Sequence, residues 1–165
     1  TVLDREPAPT GRREAPDLRG HLIVLDDVSM THRGRTAPTP HLLGIDADAR
    51  VLAAARANLD AAGHAGVKLH AADSLAFDLG SLGARHGLIV SNLPYGVRLG
   101  DAAKAAALTR RSLDRLGRGA TRWRFALLTS DAGRVAGHPD VRGARVTATV
   151  SGGLAVYVVT GSVGG

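Results

Sequence analysis

His41-Leu42-Leu43-Gly44-Ile45-Asp46-Ala47-Asp48-Ala49-Arg50-Val51-Leu52 is the stretch that decides the fold. A short apolar run ends on a carboxylate, and Asp48 then stands where a helix N-cap belongs. From there Val51, Leu52, Ala55, Leu59 and Ala62 recur on one helical face, which predicts a helix to Asp60 with Gly63 as terminator. Working outward, the same unit recurs. Val67 to Ala71 predicts a strand ending at Asp73, and Gly87 to Ser91 predicts another that runs into Asn92. Asp101 is expected to cap an alanine-rich helix to about Leu116, stopped by Gly117. Arg124 to Thr129 reads as a further strand, followed by a helical turn over Ala132 to Ala136. Arg145 to Val150 and Leu154 to Val159 read as strands joined by Ser151-Gly152-Gly153, a hairpin signal. The alternation predicts an α/β sandwich with a mostly parallel sheet and a C-terminal antiparallel hairpin.

Residues 1–40 fit this scheme less well. Thr1-Val2-Leu3-Asp4 and His21 to Asp26 each read as a strand, but Pro7, Pro9, Pro16, Pro38 and Pro40 discourage helices between them. The chain starts at Thr1 without a methionine, which reads as a fragment of a longer protein. A single domain over residues 1–165 is expected, long enough for one sizeable core.

Composition narrows the function classes. Apolar content of 44% with 22% charged residues is globular rather than disordered. No stretch has the length of a membrane span and there is no signal-peptide pattern, so a cytoplasmic location is expected. The absence of cysteine excludes disulfides and thiolate metal sites. The seven histidines lack metal-ligand spacing, so no metal is expected. The net charge of +6 is carried almost entirely by arginine, since Lys68 and Lys104 are the only lysines. Such a surface suits a polyanion, although biased codon usage produces the same arginine excess. With aromatic content of 3%, base stacking must rest on one or two rings, and Tyr95 is the best placed. Trp123 and Phe125 flank a strand and read as packing residues.

In open α/β sheets, ligands bind outside the carboxyl ends of the strands. Asp46, Asp73 and Asn92 each stand at such an end. Asp46 is placed to accept hydrogen bonds from the ribose hydroxyls of an adenosine cofactor, or else simply leads into the helix with Asp48. Asp73, with Ser74, could receive the adenine amine, or cap a turn. Asn92-Leu93-Pro94-Tyr95-Gly96-Val97-Arg98 supplies an amide, a proline, a ring and an arginine in one tight loop. The Asn92 side-chain oxygen and the Leu93 carbonyl can accept both protons of an aromatic amine and orient its nitrogen for transfer. Pro94 fixes the loop, and Tyr95 can stack on an extruded base. Gly96 allows close backbone approach, and Arg98 is a candidate phosphate or base contact.

Asn92-Leu93-Pro94-Tyr95 resembles the [Asn/Asp]-x-Pro-[Tyr/Phe] signature of S-adenosylmethionine-dependent amino-group methyltransferases. With Gly96 and Arg98 added, the loop resembles the THUMP-associated RNA guanine methyltransferases in particular. The likeness runs from His41 to Val159. It takes in Gly44 to Leu52, Ala55 to Leu59, Ala62-Gly63, Leu127-Leu128-Thr129-Ser130 and the hairpin at Gly152-Gly153. It implies a Rossmann-like class I methyltransferase fold, S-adenosylmethionine as cofactor, and methylation of the exocyclic N2 of a guanosine in structured RNA (tRNA or rRNA). Asp46, Asp73, Ser74 and Asn92 would then contact cofactor. Asn92, Leu93, Pro94 and Tyr95 would form the catalytic loop, and Tyr95, Gly96 and Arg98 would meet the substrate.

Two departures stand out. The family's glycine-rich loop survives only as degraded candidates: Val2-Leu3-Asp4 with Thr10-Gly11, or Leu25-Asp26 with Gly34-Arg35-Thr36. This marks residues 1–40 as a divergent N-terminal part. The THUMP module has no counterpart in the sequence. Asn-Leu-Pro-Tyr also resembles adenine-N6 methylases of RNA and DNA, and the eroded loop suits a non-catalytic RNA-binding domain of the same fold. Gly96 and Arg98 favour guanine.

Overall fold

The strand–carboxylate–helix unit folds as its residues dictate in the computed structural model, which describes residues 22–26, 41–93, 102–151 and 153–164. Strand β2 (His41–Asp46) leads to helix α1 (Ala49–Ala61), and Asp48 is its N-cap, accepting from the Arg50 N–H at 2.9 Å. The Arg50 guanidinium turns back onto the same carboxylate at 2.8 Å. Those bonds, the side-chain one foremost, hold the Asp48 carboxyl down to about 2. Past the last turn Gly63 takes φ +78, the left-handed conformation that lets the chain leave the helix. Helix α1 buries none of its residues completely and lies as an outer layer. Arg56 ties it to the next strand, donating to the carbonyls of Ala65 at 3.0 Å and of Val67.

The other strands are β1 (Leu22–Asp26), β3 (Lys68–Ala71), β4 (Gly87–Asn92), β5 (Arg124–Thr129), β6 (Val141–Ser151) and β7 (Leu154–Val163). Among the described residues these seven form one sheet in the order β3-β2-β1-β4-β5-β7-β6. The pairs β2–β3 and β4–β5 are parallel. Strand β7 opposes both β5 and β6, which is the expected hairpin, extended at both ends and bulged between Arg142 and Arg145. Strand β1 runs against both β2 and β4. Five strands therefore point one way, with β1 and β7 reversed.

The reversal of β1 has a positional consequence. Leu22 is level with Ile45 and Ser91, whereas Asp26 is level with His41 and Gly87. Asp26 thus ends at the edge opposite Asp46 and Asn92. The candidate glycine loop that begins at Leu25-Asp26 leaves β1 from that far edge. The other candidate, and the strand expected at Thr1 to Asp4, lie outside the described residues.

Helix α2 (Ala102–Gly119) and helix α3 (Ala132–Ala136) complete the regular elements, with a 3₁₀ turn at Leu79–Leu82 that the periodicity did not announce. Gly117 does not stop α2, contrary to expectation. A Cβ there would collide with the Asp140 carboxylate, so this glycine marks a close approach inside the helix. The chain turns instead after Gly119, with Arg122 at φ +67. Asp101, expected as the cap of α2, lies outside the described residues.

Right-handed crossovers place α1 and α2 on opposite faces, because β2→β3 and β4→β5 step in opposite directions across the sheet. The core lies on the α2 side, where Leu113 and Leu116 meet Ile89, Trp123, Phe125, Leu127, Val135 and Val159. The Trp123 ring lies across Gly87 and Phe125 lies across Gly161, as the packing reading of both aromatics required. Burying a side chain of this size stabilises the fold by about 1.5–3 kcal/mol. Among the described residues no helix is long and apolar enough to cross a membrane.

Candidate functional site at the carboxyl edge of the sheet

Ile45 and Ser91 both pair with Leu22, so they share one face of the sheet, the buried core face. Asp46 and Asn92, one residue further on, therefore share the other face at the same edge. They are two strands apart, about 10 Å at the usual strand spacing. Between them lies the point where the chain enters β1.

Asp46 is buried, at 4% exposure. Its Oδ1 accepts the Asp48 N–H at 2.7 Å, which fixes the carboxylate against the start of α1. Its carbonyl accepts the Ala72 N–H at 3.0 Å and so holds the exit of β3 alongside. Asp73 follows at that exit. The turn reading is realised there: its Oδ1 accepts the Leu75 N–H at 2.9 Å, and its carbonyl accepts the N–H groups of Ala76 and Phe77, each at 2.9 Å. The turn swings Phe77 edge-on against His70, with ring centroids 5.7 Å apart. Ser74 is half-buried in the same turn.

Asn92 differs from the exposed Asp73. Its side-chain Oδ1 is buried and has no hydrogen-bond partner among the described residues. Leaving such an acceptor unpaired costs about 1–3 kcal/mol, so the position is set up for a donor. Strand pairing continues one residue beyond it, because the Leu93 N–H donates to the Leu128 carbonyl at 2.9 Å and Leu93 is buried. Asn92 is thus gripped on its C-terminal side by the β4–β5 ladder. Pro94, Tyr95, Gly96 and Arg98 lie outside the described residues. Asp73, Asp46 and Asn92 stand in that order along one edge, each at or just past the carboxyl end of its strand.

Two features were not read from the sequence. Thr129 is buried at the end of β5 and accepts the Asp131 N–H at 3.1 Å, while Asp131 caps α3 through the Arg134 N–H at 2.9 Å. Its signal was the Thr-Ser-Asp run after an apolar strand. The second is a cluster of Asp114, His138 and Asp140, whose potential ligand atoms lie within 4.8 Å of one another. No local spacing announces it, since 24 residues separate Asp114 from His138. The His138 Nδ1 accepts the Asp140 N–H at 3.3 Å, which leaves Nε2 to donate to Asp114 Oδ1 at 3.2 Å. Both ring nitrogens are engaged, and the array ties α2 to the turn before β6.

Comparison with known proteins agrees with the fold. A crystal structure of SMU.472 complexed with SAH superposes with a TM-score of 0.61 at 25% identity, covering 72% of this chain and 30% of that one. The crystal structure of TrmN from Thermus thermophilus gives a TM-score of 0.55 at 24% identity over 79% of this chain and 37% of that one, a likeness of fold. In sequence, the ribosomal RNA large subunit methyltransferase K/L of Methylococcus capsulatus is 39% identical over 95 residues, 58% of this chain and 13% of the relative. Its namesake in Pseudomonas fluorescens is 30% identical over 138 residues, 78% of this chain and 18% of the relative. The chain thus spans less than a fifth of the length of either curated relative. The model of the UPF0020 family, the RMKL-like methyltransferase domain, matches residues 5–140. With a Rossmann-like sheet and a family match over most of its length, the chain belongs to the RMKL-like methyltransferase-domain family.

Proposed function

We propose that this chain is the catalytic domain of an S-adenosylmethionine-dependent RNA methyltransferase that modifies the exocyclic N2 of a guanosine in rRNA or tRNA, in the cytoplasm. The observation that carries the reading is the buried Asn92 Oδ1 at the end of β4, without a hydrogen-bond partner among the described residues and on the same face and edge as the buried Asp46. The names of the K/L relatives support RNA as the substrate, and the SAH-bound neighbour supports the cofactor.

The donor set fits that cofactor. Asp46 would accept from the ribose hydroxyls, and the Asp73–Ser74 turn would meet the adenine amine. When bound, S-adenosylmethionine supplies an electrophilic methyl group on a sulfonium. The protein's task is to present the amine. Asn92 Oδ1 and the Leu93 carbonyl would accept its two protons, draw the lone pair out of conjugation and stabilise the charge that develops on nitrogen. Pro94 and Tyr95 would hold the base flat, with Gly96 and Arg98 at the substrate side. Transfer would break the cofactor's S–C bond, its electron pair staying on sulfur, as the N–C bond forms, and the amine would release one proton to water.

The reversal of β1 favours a second reading, an RNA-binding domain of the same fold that takes no cofactor, because it carries the end of the central strand away from this edge. Calorimetric titration with S-adenosylmethionine separates the two. The enzyme reading expects saturable binding that Asp46→Ala weakens by about 1.5–3 kcal/mol, the scale of hydrogen bonds to a charged group. No binding by the folded chain, with RNA affinity retained, would select the second reading.

A further inference from the structure

Strand β6 forms the outer edge of the sheet among the described residues. Strand β6 is the last strand in the order, and from Arg145 to Val150 every residue is exposed, on both faces. Val146 and Val150 are the two large apolar residues left in solvent among those described, at 48% and 71% exposure. Proteins guard such edges with charge, proline or a bulge. Here the bulge lies at the Arg142–Arg145 end, and Val146-Thr147-Ala148-Thr149-Val150 contains neither charge nor proline.

That run reads the same in both directions. An antiparallel two-fold axis through Ala148 would set Val146 opposite Val150 of a second copy, Thr147 opposite Thr149, and Ala148 opposite Ala148. Alternation along β6 puts the valines and Ala148 on one face and the threonines on the other. Every cross-strand pair would then be a favourable type, apolar with apolar or hydroxyl with hydroxyl. At the end of the run Arg145 would face Ser151, with no charge clash. Isologous pairing of this kind closes as a two-fold dimer.

We infer that the chain forms a homodimer through antiparallel β6–β6 pairing centred on Ala148, joining two sheets into one. The occupant of the edge is a second copy because the palindrome is self-complementary in this register. Asp46 and Asn92 lie across β2 to β4, away from this edge, so both sites stay open in the dimer.

Sedimentation velocity over a concentration series tests it. The wild-type chain should show a reversible monomer–dimer equilibrium. Val146→Lys with Val150→Lys places lysine opposite lysine twice and should raise the dimer Kd at least about tenfold. Val146→Lys with Val150→Glu makes as many changes but places lysine opposite glutamate twice, and should restore a Kd within about threefold of wild type. Matching circular dichroism and Tm would show that both variants are folded, as expected for substitutions at exposed positions. A wild-type chain that stays monomeric throughout, or a dimer that the two variants weaken equally or not at all, would overturn the proposal.

Discussion

At Asn92, packing and chemistry make opposite demands. A buried amide oxygen with no partner among the described residues lowers stability, while the proposed reaction needs that same oxygen ready to accept an amine proton. Asn92→Ala should therefore leave the folding free energy within about 1 kcal/mol of wild type, since the acceptor it removes contributes no bond among the described residues. Methyl transfer should fall by about 10²–10³-fold or more, the scale of losing one positioned acceptor or donor at a developing charge. Cofactor affinity should barely change. Single-turnover assays beside urea denaturation would check both halves, and a variant that still turns over normally would remove Asn92 from the mechanism. Asp46 and Asp73 share a residue type and a strand-end position, yet they differ physically. Asp46 is buried and braced by the Asp48 N–H, whereas the exposed Asp73 caps its own turn.

Among the elements, a tight constraint lies between β5 and β7. Phe125 pairs with Gly161, and a Cβ at 161 would lie 2.8 Å from the Phe125 ring and 3.0 Å from the Arg142 carbonyl oxygen. One neighbour is a buried ring and the other is backbone, so neither can yield cheaply. Gly161→Ala should cost about 1–3 kcal/mol, the range for overpacking, visible as a lowered urea midpoint at constant m-value. An unchanged midpoint would mean that this pair of strands has slack. Gly117 is a poorer probe. Alanine there gains about 1 kcal/mol in helix propensity, and the atoms it meets belong to the half-exposed end of Asp140, which can move. Glycine stops a helix by adopting a left-handed conformation at its terminus, but within a helix it can also serve to let another chain approach.

For the molecule as a whole, the governing quantity is the net charge of +6, almost all of it arginine. If the substrate is RNA, affinity should depend on counterion release and fall steeply with salt. Three phosphate contacts would give a loss of roughly 20- to 40-fold between 50 and 200 mM salt. Filter-binding or fluorescence titration of a structured RNA over that range would read the slope, and a salt-independent affinity would argue against a phosphate-tracking surface. The arrangement of strands bears on the same question, because the reversed β1 puts Asp26 at the edge away from Asp46 and Asn92.

The sequence by itself determined whatever depends on local periodicity and capping. The extent of β5 and α3, the Asp48 cap, the C-terminal hairpin and the three polar strand ends were all legible, because alternation, N-cap chemistry and glycine placement act over a few residues. The tertiary structure alone decided the rest. Hydrophobic alternation carries no direction, so the reversal of β1 could not be read from Leu22 to Asp26. The close approach of Asp140 to Gly117 and the Asp114–His138–Asp140 array both depended on residues far apart in the chain. Burial decided the site as well. Asp46, Asp73 and Asn92 looked alike as polar residues closing apolar runs, and only the packing of β4 against its neighbours left the Asn92 oxygen buried with no partner among the described residues, because desolvation is a property of the surroundings rather than of the residue.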